Sequence, residues 1–399
     1  MAVKPSLALI PSGVKANKVY SVLPSDGVGD FDFSRSGSAT RINKDGLIET
    51  VGSNIPRLNY PMIDGVVSGC PSLLLEPART NLVQYSEDFT SWINSSSYIT
   101  SDYGISPDGL QNASRLLFTG TNQTLSKNIG TNGTLSYSIY VKGVKGETIN
   151  ISMASGSDES FLLNGEWQRL SYSDTVSNST ININTFGNKT ARDLLIWGAQ
   201  LEQGSYPTSY IPTNGEVNGV TRSAETCNGA GDVNTFNDSE GVLMAEISAF
   251  QEIPTTNEHI VLRNSASTDF SNSILIQHRN DGNLRIYIDG FSSGNIQFIV
   301  DDINWLENNK IAIQYDSISS NYKLFLNGIT KERYSSAANQ SVVGLNDISF
   351  YWGSVNNPFY GNTKQIQYFD TALTDTDLEE LTSWVSFTDM ANSQLYSIQ

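Results

Sequence analysis

The sequence predicts an all-β chain: two jelly-roll β-sandwiches in tandem, preceded by a small strand- and loop-rich N-terminal segment. Three observations predict it. The runs N-Y-K-L-F-L-N-G (Asn321 to Gly328) and L-R-I-Y-I-D-G (Leu284 to Gly290) alternate large apolar residues and end in Asn-Gly or Asp-Gly turn pairs. The run Leu135 to Lys142 places Leu135, Tyr137, Ile139 and Val141 on one face. Charged residues make up only 16% of the 399 residues, so Ser, Thr, Asn and Gly must supply the polar surface, as in turn-rich sandwiches rather than helical bundles.

Residues 1–79 are punctuated by Gly, Pro, Asn and Asp, with short strands expected at Lys18 to Leu23, at Phe31 to Arg35, and in a hairpin turning through Asp45-Gly46. The segment is thin in apolar residues, so it should rest on a neighbour or on other subunits. It reads as an attachment or assembly segment whose removal leaves two soluble sandwiches. Residues 80–213 form the first sandwich, with strands at Ser114 to Phe118, Leu135 to Lys142, Thr148 to Met153, Trp167 to Tyr172, Thr180 to Asn184 and Asp193 to Leu201. Residues 214–238 read as a linker or a long first loop.

Residues 239–385 form the second sandwich, with nine strands from Gly241 to Phe369, and 386–399 form a tail. One helix is predicted, in L-T-D-T-D-L-E-E-L-T-S-W, with Thr374 as N-cap and acids in its first turn.

A net charge of −17 disfavours nucleic acid as a partner. The N-terminal apolar patch is broken by prolines, which makes a poor signal peptide, and no apolar run is long enough for a membrane helix. Cys70 and Cys227 are too few for a disulfide scaffold and read as free thiols, with a bridge between them left open.

The two histidines, His259 and His278, fall in strands and make neither a metal set nor a catalytic triad. Asp301-Asp302 and Glu379-Glu380 read as solvated surface. Asp26, Asp30 and Asp32 offer oxygens to Ca²⁺, but Gly27 and Gly29 occupy positions where an EF-hand needs acids, so a plain turn is expected. No cofactor is expected.

Sugar sites combine aromatic faces with amide and carboxylate partners. On that ground the glycan-contact candidates are Tyr351, Trp352, Asn356, Asn357, Phe359 and Tyr360, in Y-W-G-S-V-N-N-P-F-Y-G. In the first sandwich the aromatics to weigh are Trp92, Trp167 and Trp197, of which Trp197 reads as core.

Three groups of motifs carry a resemblance over nearly the whole chain. Y-K-L-F-L-N-G with G-N-T-K-Q-I-Q-Y-F-D-T-A-L-T-D-T-D-L-E-E-L resembles the concanavalin A-like lectin/laminin-G superfamily. N-L-V-Q-Y-S-E-D-F-T-S-W and Q-L-E-Q-G-S-Y-P-T-S-Y-I-P-T resemble carbohydrate-binding-module jelly rolls of phage fibres. F-S-R-S-G-S-A-T-R-I-N-K-D-G-L-I-E and C-P-S-L-L-L-E-P-A-R-T-N-L are similar to what precedes such jelly rolls in tailed-phage structural proteins.

The resemblance implies a virion appendage, a tail or head fibre, commonly trimeric and partnered by other virion proteins. Such a protein would be assembled in the host cytoplasm and displayed on the particle surface, where it would adhere to host polysaccharide. The rivals are a decoration or assembly protein without a ligand, and a glycan depolymerase. The last would need a Glu-x-Asp-x-x-Glu strand, which the sequence lacks. Laminin-G-type domains hold Ca²⁺ at a loop rim, but no ligand set here matches residue by residue.

Overall fold

Two pairs of facing sheets hold most of the strands, and 49% of the described residues are strand against 3% helix. The computed structural model describes residues 3–384, apart from 64, 68, 96, 155–157, 188, 268–270, 291–294, 336–341 and 352–356.

The first sandwich packs the sheet Ser97–Gly104, Ala113–Phe118, Arg192–Gln203, Gly133–Lys142, Gln168–Val176 against the sheet Ile93–Ser95, Thr124–Asn128, Thr180–Asn184, Thr148–Ser152, Glu159–Leu162, each given in spatial order. All pairings are antiparallel. The alternation read in Leu135 to Val141 turns those four side chains into a core shared with Leu125, Ile149, Ile151, Ile181 and Ile183. Ser97–Gly104 and Glu159–Leu162, both missed in the sequence, are edge strands in these sheets and mostly exposed.

The second sandwich has a five-stranded sheet and an eight-stranded one. The larger sheet runs Ile329–Ser335, Asn321–Leu326, Asn309–Asp316, Glu240–Ala249, Gly361–Phe369, Ser72–Leu75, Arg57–Asn59, and Leu7–Leu9 pairs alongside Gly361–Phe369. The strand Asn321–Leu326 ends at Asn327 and Gly328, both at positive φ (50° and 81°), where a tight hairpin turn favours Asn and Gly.

That strand does not have a single buried face, because Phe325 is buried as well as Tyr322, Leu324 and Leu326. The helix Asp375–Ser383 covers the second face, setting Leu378 and Leu381 on Val242, Met244, Ala312, Phe325 and Phe369. Thr374 caps the helix, its hydroxyl accepting from the Asp377 amide.

Residues 1–79 do rest on neighbours: Ile48 packs on Ala113, Trp197 and Tyr210 of the first sandwich, and the strands near both ends of the segment join the second. Leu7, Leu9, Leu73 and Leu75 are core residues of the second sandwich. Removing the segment would strip paired strands from Gly361–Phe369, so the expectation that both sandwiches stand without it does not fit this sheet. The run 214–238, read as a linker or loop, carries the strands Val220–Arg222 and Thr226–Asn228, which pair with Arg79–Asn81 and Phe31–Ser34. Cys227 on the second of these is buried, Cys70 is exposed, and both are free.

A buried ion cluster joins these pieces. Glu225 accepts from Arg35 Nη1 (2.8 Å), from Arg57 Nε (2.9 Å) and Nη2, and from the Glu76 amide (3.0 Å). Glu76 in turn pairs with Arg57 (2.7 Å) and Arg222 (2.9 Å) and accepts from both the amide and the hydroxyl of Ser209. All five charged side chains are at most 2% exposed. Burial alone would raise the Glu76 carboxyl, but Arg222, Arg57 and the Ser209 donors outweigh it and hold it down to about 2.

Candidate functional site

The sheet centred on Thr180–Asn184 builds the strongest candidate. T-I-N-I-S (148–152) and T-I-N-I-N (180–184) alternate Ile with short polar residues. Period two sends the isoleucines into the core and lines up Thr, Asn and Ser on the opposite face. Register then forms rows across the strands: Thr124, Asn184 and Asn150 in one, Ser126, Asn182 and Ser152 in the next.

The amides are held in place. Asn184 Nδ2 donates to Asp158 (2.8 Å) and to Asn182 Oδ1 (2.7 Å), while its Oδ1 accepts from Asn150 Nδ2 (3.1 Å) and the Phe186 amide (2.9 Å). Asn182 Nδ2 donates to Ser152 Oγ (2.7 Å). Each amide is thereby fixed in one orientation, as a pre-organised binding surface requires.

Over these rows lies an open groove of about 340 Å³, lined by Thr124, Ser126, Ser152, Asp158, Thr180, Asn182 and Phe186 among others. The Phe186 ring is partly exposed at the groove, and Ile93, paired with Ser126, is 68% exposed on the same face. The combination is a shelf of fixed donors and acceptors with apolar flanks, suited to a ligand bearing many hydroxyls on an apolar ring skeleton.

Among the described residues, the candidates Tyr351, Asn357, Phe359 and Tyr360 do not form one platform. Phe359 is 2% exposed and belongs to the sandwich core, a correction to its reading as a ligand contact. The cause is local: Pro358 bridges His259 and the Phe359 amide donates to the Phe350 carbonyl, which turns the ring between the sheets. Tyr360 packs partly on the same core, and burial pushes its hydroxyl up to about 12. The Asn357 carbonyl faces His259 Nδ1 at 3.2 Å, and Tyr351 lies under the Arg263 guanidinium at 5.4 Å. Trp352 and Asn356 lie outside the described residues.

Trp197 is core, against Tyr210 at 4.4 Å, and Trp92 is buried against Phe89. Trp167 is half-buried and donates to the Ile105 carbonyl (3.1 Å).

Both histidines are buried. His259 meets the Gln277 amide at 2.6 Å, and burial pushes its imidazole down to about 4, so it is neutral near pH 7. His278 stacks on Trp305 at 4.1 Å and faces Glu258 at 3.5 Å. Asp30 accepts from the Ser21 amide, Asp26 from the Val28 amide, and Asp32 pairs with Lys18. Among the described residues no group of three or more His, Cys, Asp or Glu is arranged to hold a metal ion.

Fold and groove together define a β-sandwich protein with a ligand-sized polar recess on one sheet. Among solved structures the chain is similar to the CBM40 of the Ruminococcus gnavus IT-sialidase bound to α2,3-sialyllactose, at 17% identity and a TM-score of 0.33, over 37% of this chain and 84% of that one. It is similar to the NanB sialidase of Streptococcus pneumoniae, at 16% identity and a TM-score of 0.33, over 37% of this chain and 24% of that one. It is also similar to domain 4 of AbnA, a GH43 extracellular arabinanase from Geobacillus stearothermophilus in complex with arabinotriose, at 11% identity and a TM-score of 0.28, over 40% and 73%. At these identities and scores the likeness is one of partial fold and carries no argument about this chain's ligand. No family model and no curated protein matches the chain.

Proposed function

We propose that the chain is a non-catalytic, glycan-binding appendage protein of a tailed-phage particle, displayed on the virion surface. It adheres to host polysaccharide through the groove on the first sandwich. The observation that carries the glycan reading is the rigid Asn/Ser/Thr face with Phe186 and Ile93 beside it. The virion assignment rests on the order of the sequence motifs, which also implies a homotrimer held to other virion proteins.

One shallow groove binds weakly, and several copies on one particle multiply the affinity. Hydrolysis needs two carboxylates flanking the bond, whereas Asp158 is the one carboxylate lining this groove among the described residues, and it is already bonded to Asn184.

The test is binding of the multivalently displayed chain to an array of bacterial surface polysaccharides, with Asn182→Ala and Phe186→Ala beside it. The reading expects signal that both variants lose while melting like the parent. Signal on no polysaccharide, or signal indifferent to both variants, overturns it. A purely structural role in the particle is favoured by one observation: Tyr98, Tyr103, Ile105 and Leu110 are all more than half exposed, a ready contact surface for another virion protein. That role expects an empty array.

A further inference from the structure

We infer that the groove selects an uncharged stretch of glycan and rejects acidic sugars; this rests on the glycan-binding reading above. Among the described residues the lining offers hydroxyls and amides on Thr124, Ser126, Asn178, Thr180 and Asn182, with one carboxylate, Asp158, and no lysine or arginine. Neutral sugars present hydroxyl and amide groups that both donate and accept, and this set answers them in kind.

A carboxylated or phosphorylated sugar needs charge-assisted partners, typically an arginine fork. The cations nearest in sequence already have protein acceptors, that of Lys189 being the carbonyl of Phe186 at the groove itself. Lys189 donates to the Phe186 carbonyl (3.2 Å), Lys127 to Ser91 Oγ (3.2 Å), and Arg192 to the carbonyls of Thr148, Thr190 and Ala191. A bridging Ca²⁺ would need more carboxylates than Asp158 alone. The field of a chain with net charge −17 adds long-range repulsion of polyanions.

Size follows from the register. The row Ser126, Asn182, Ser152 crosses two strand spacings, roughly 10 Å, which is the reach of about two linked sugar rings.

The experiment is native affinity electrophoresis of the full chain in gels containing uncharged glucans, galactans and mannans, or polygalacturonate and polysialic acid, each at low and high salt. The expected result is retardation by at least one neutral polymer, insensitive to salt, and none by the polyanions. Asn182→Ala should weaken that retardation roughly five- to tenfold, the share of one or two hydrogen bonds, and Lys189→Ala should leave it unchanged. Ser126→Lys, which plants a cation on the shelf, should gain salt-sensitive retardation by the polyanions.

Retardation of the parent by a polyanion, lost in high salt and in Asn182→Ala, overturns the neutral selection while leaving glycan binding standing. Retardation by no polymer overturns both.

Discussion

Replacing Glu225 by alanine tests whether the buried ion cluster holds the two sandwiches and the N-terminal segment as one body. Its carboxylate takes two bonds from Arg57, one from Arg35 and one from the Glu76 backbone, with no solvent access. Arg35 keeps carbonyl partners at Gly37, Gly52 and Ile55, and Arg57 keeps Glu76, but the pocket loses a negative charge opposite three guanidinium groups.

Breaking a buried pair from one side costs about 3–5 kcal/mol. For a unit of this size, unfolding as one body, that lowers the melting temperature by roughly 4–6 °C. Circular dichroism or fluorescence melting of the full chain reads it directly. Asp193→Ala is the control, because the Asp193–Arg115 pair is 52% and 31% exposed and such pairs contribute about 0–1 kcal/mol. A Glu225→Ala melting point within the control's range would refute the reasoning, because the cluster would then contribute no more than a surface pair.

The remaining predictions concern acid and the core. Because the Glu76 carboxyl sits near 2 when folded against an ordinary 4.5, its contribution is complete above about pH 4.5 and drains away as pH falls through about 2. That loss is roughly 3 kcal/mol, and denaturant titrations across the window should show it in the parent and not in Glu76→Gln. Phe359→Ala should destabilise the second sandwich by about 3–5 kcal/mol. Tyr351→Ala, removing a ring that is only partly buried, should change the denaturant midpoint far less. Equal effects would return Phe359 to the surface.

Local patterns carried most of the architecture. The alternation in Leu135 to Lys142, the Asn327-Gly328 turn and the Thr374 cap each act within a few residues, so period and turn chemistry reveal them. Ile329–Ser335 escaped because I-T-K-E-R-Y-S is an edge strand whose charges guard its open side rather than alternate with apolar partners. Nor could the cluster of Arg35, Arg57, Glu76, Arg222 and Glu225 be read in advance. Its members sit in unrelated loops and strands, and only tertiary closure assembles them.

The groove was half legible. T-I-N-I-S and T-I-N-I-N announce strands, yet weighing aromatic residues points instead to 351–360, where Phe359 serves the core. Burial of the amides depends on Asp158 and Phe186 folding over the sheet, and no periodicity encodes that.

The placement of Leu7–Leu9 and Ser72–Leu75 beside Gly361–Phe369 has a consequence for biosynthesis. The first sandwich is an insertion within the larger body, and it can fold while the ribosome is still making the strands that follow. The leucine-rich strands that precede it must meanwhile wait, each with an open and sticky edge, until Gly361–Phe369 emerges to receive them. In a growing chain, that interval is when a chaperone would matter most.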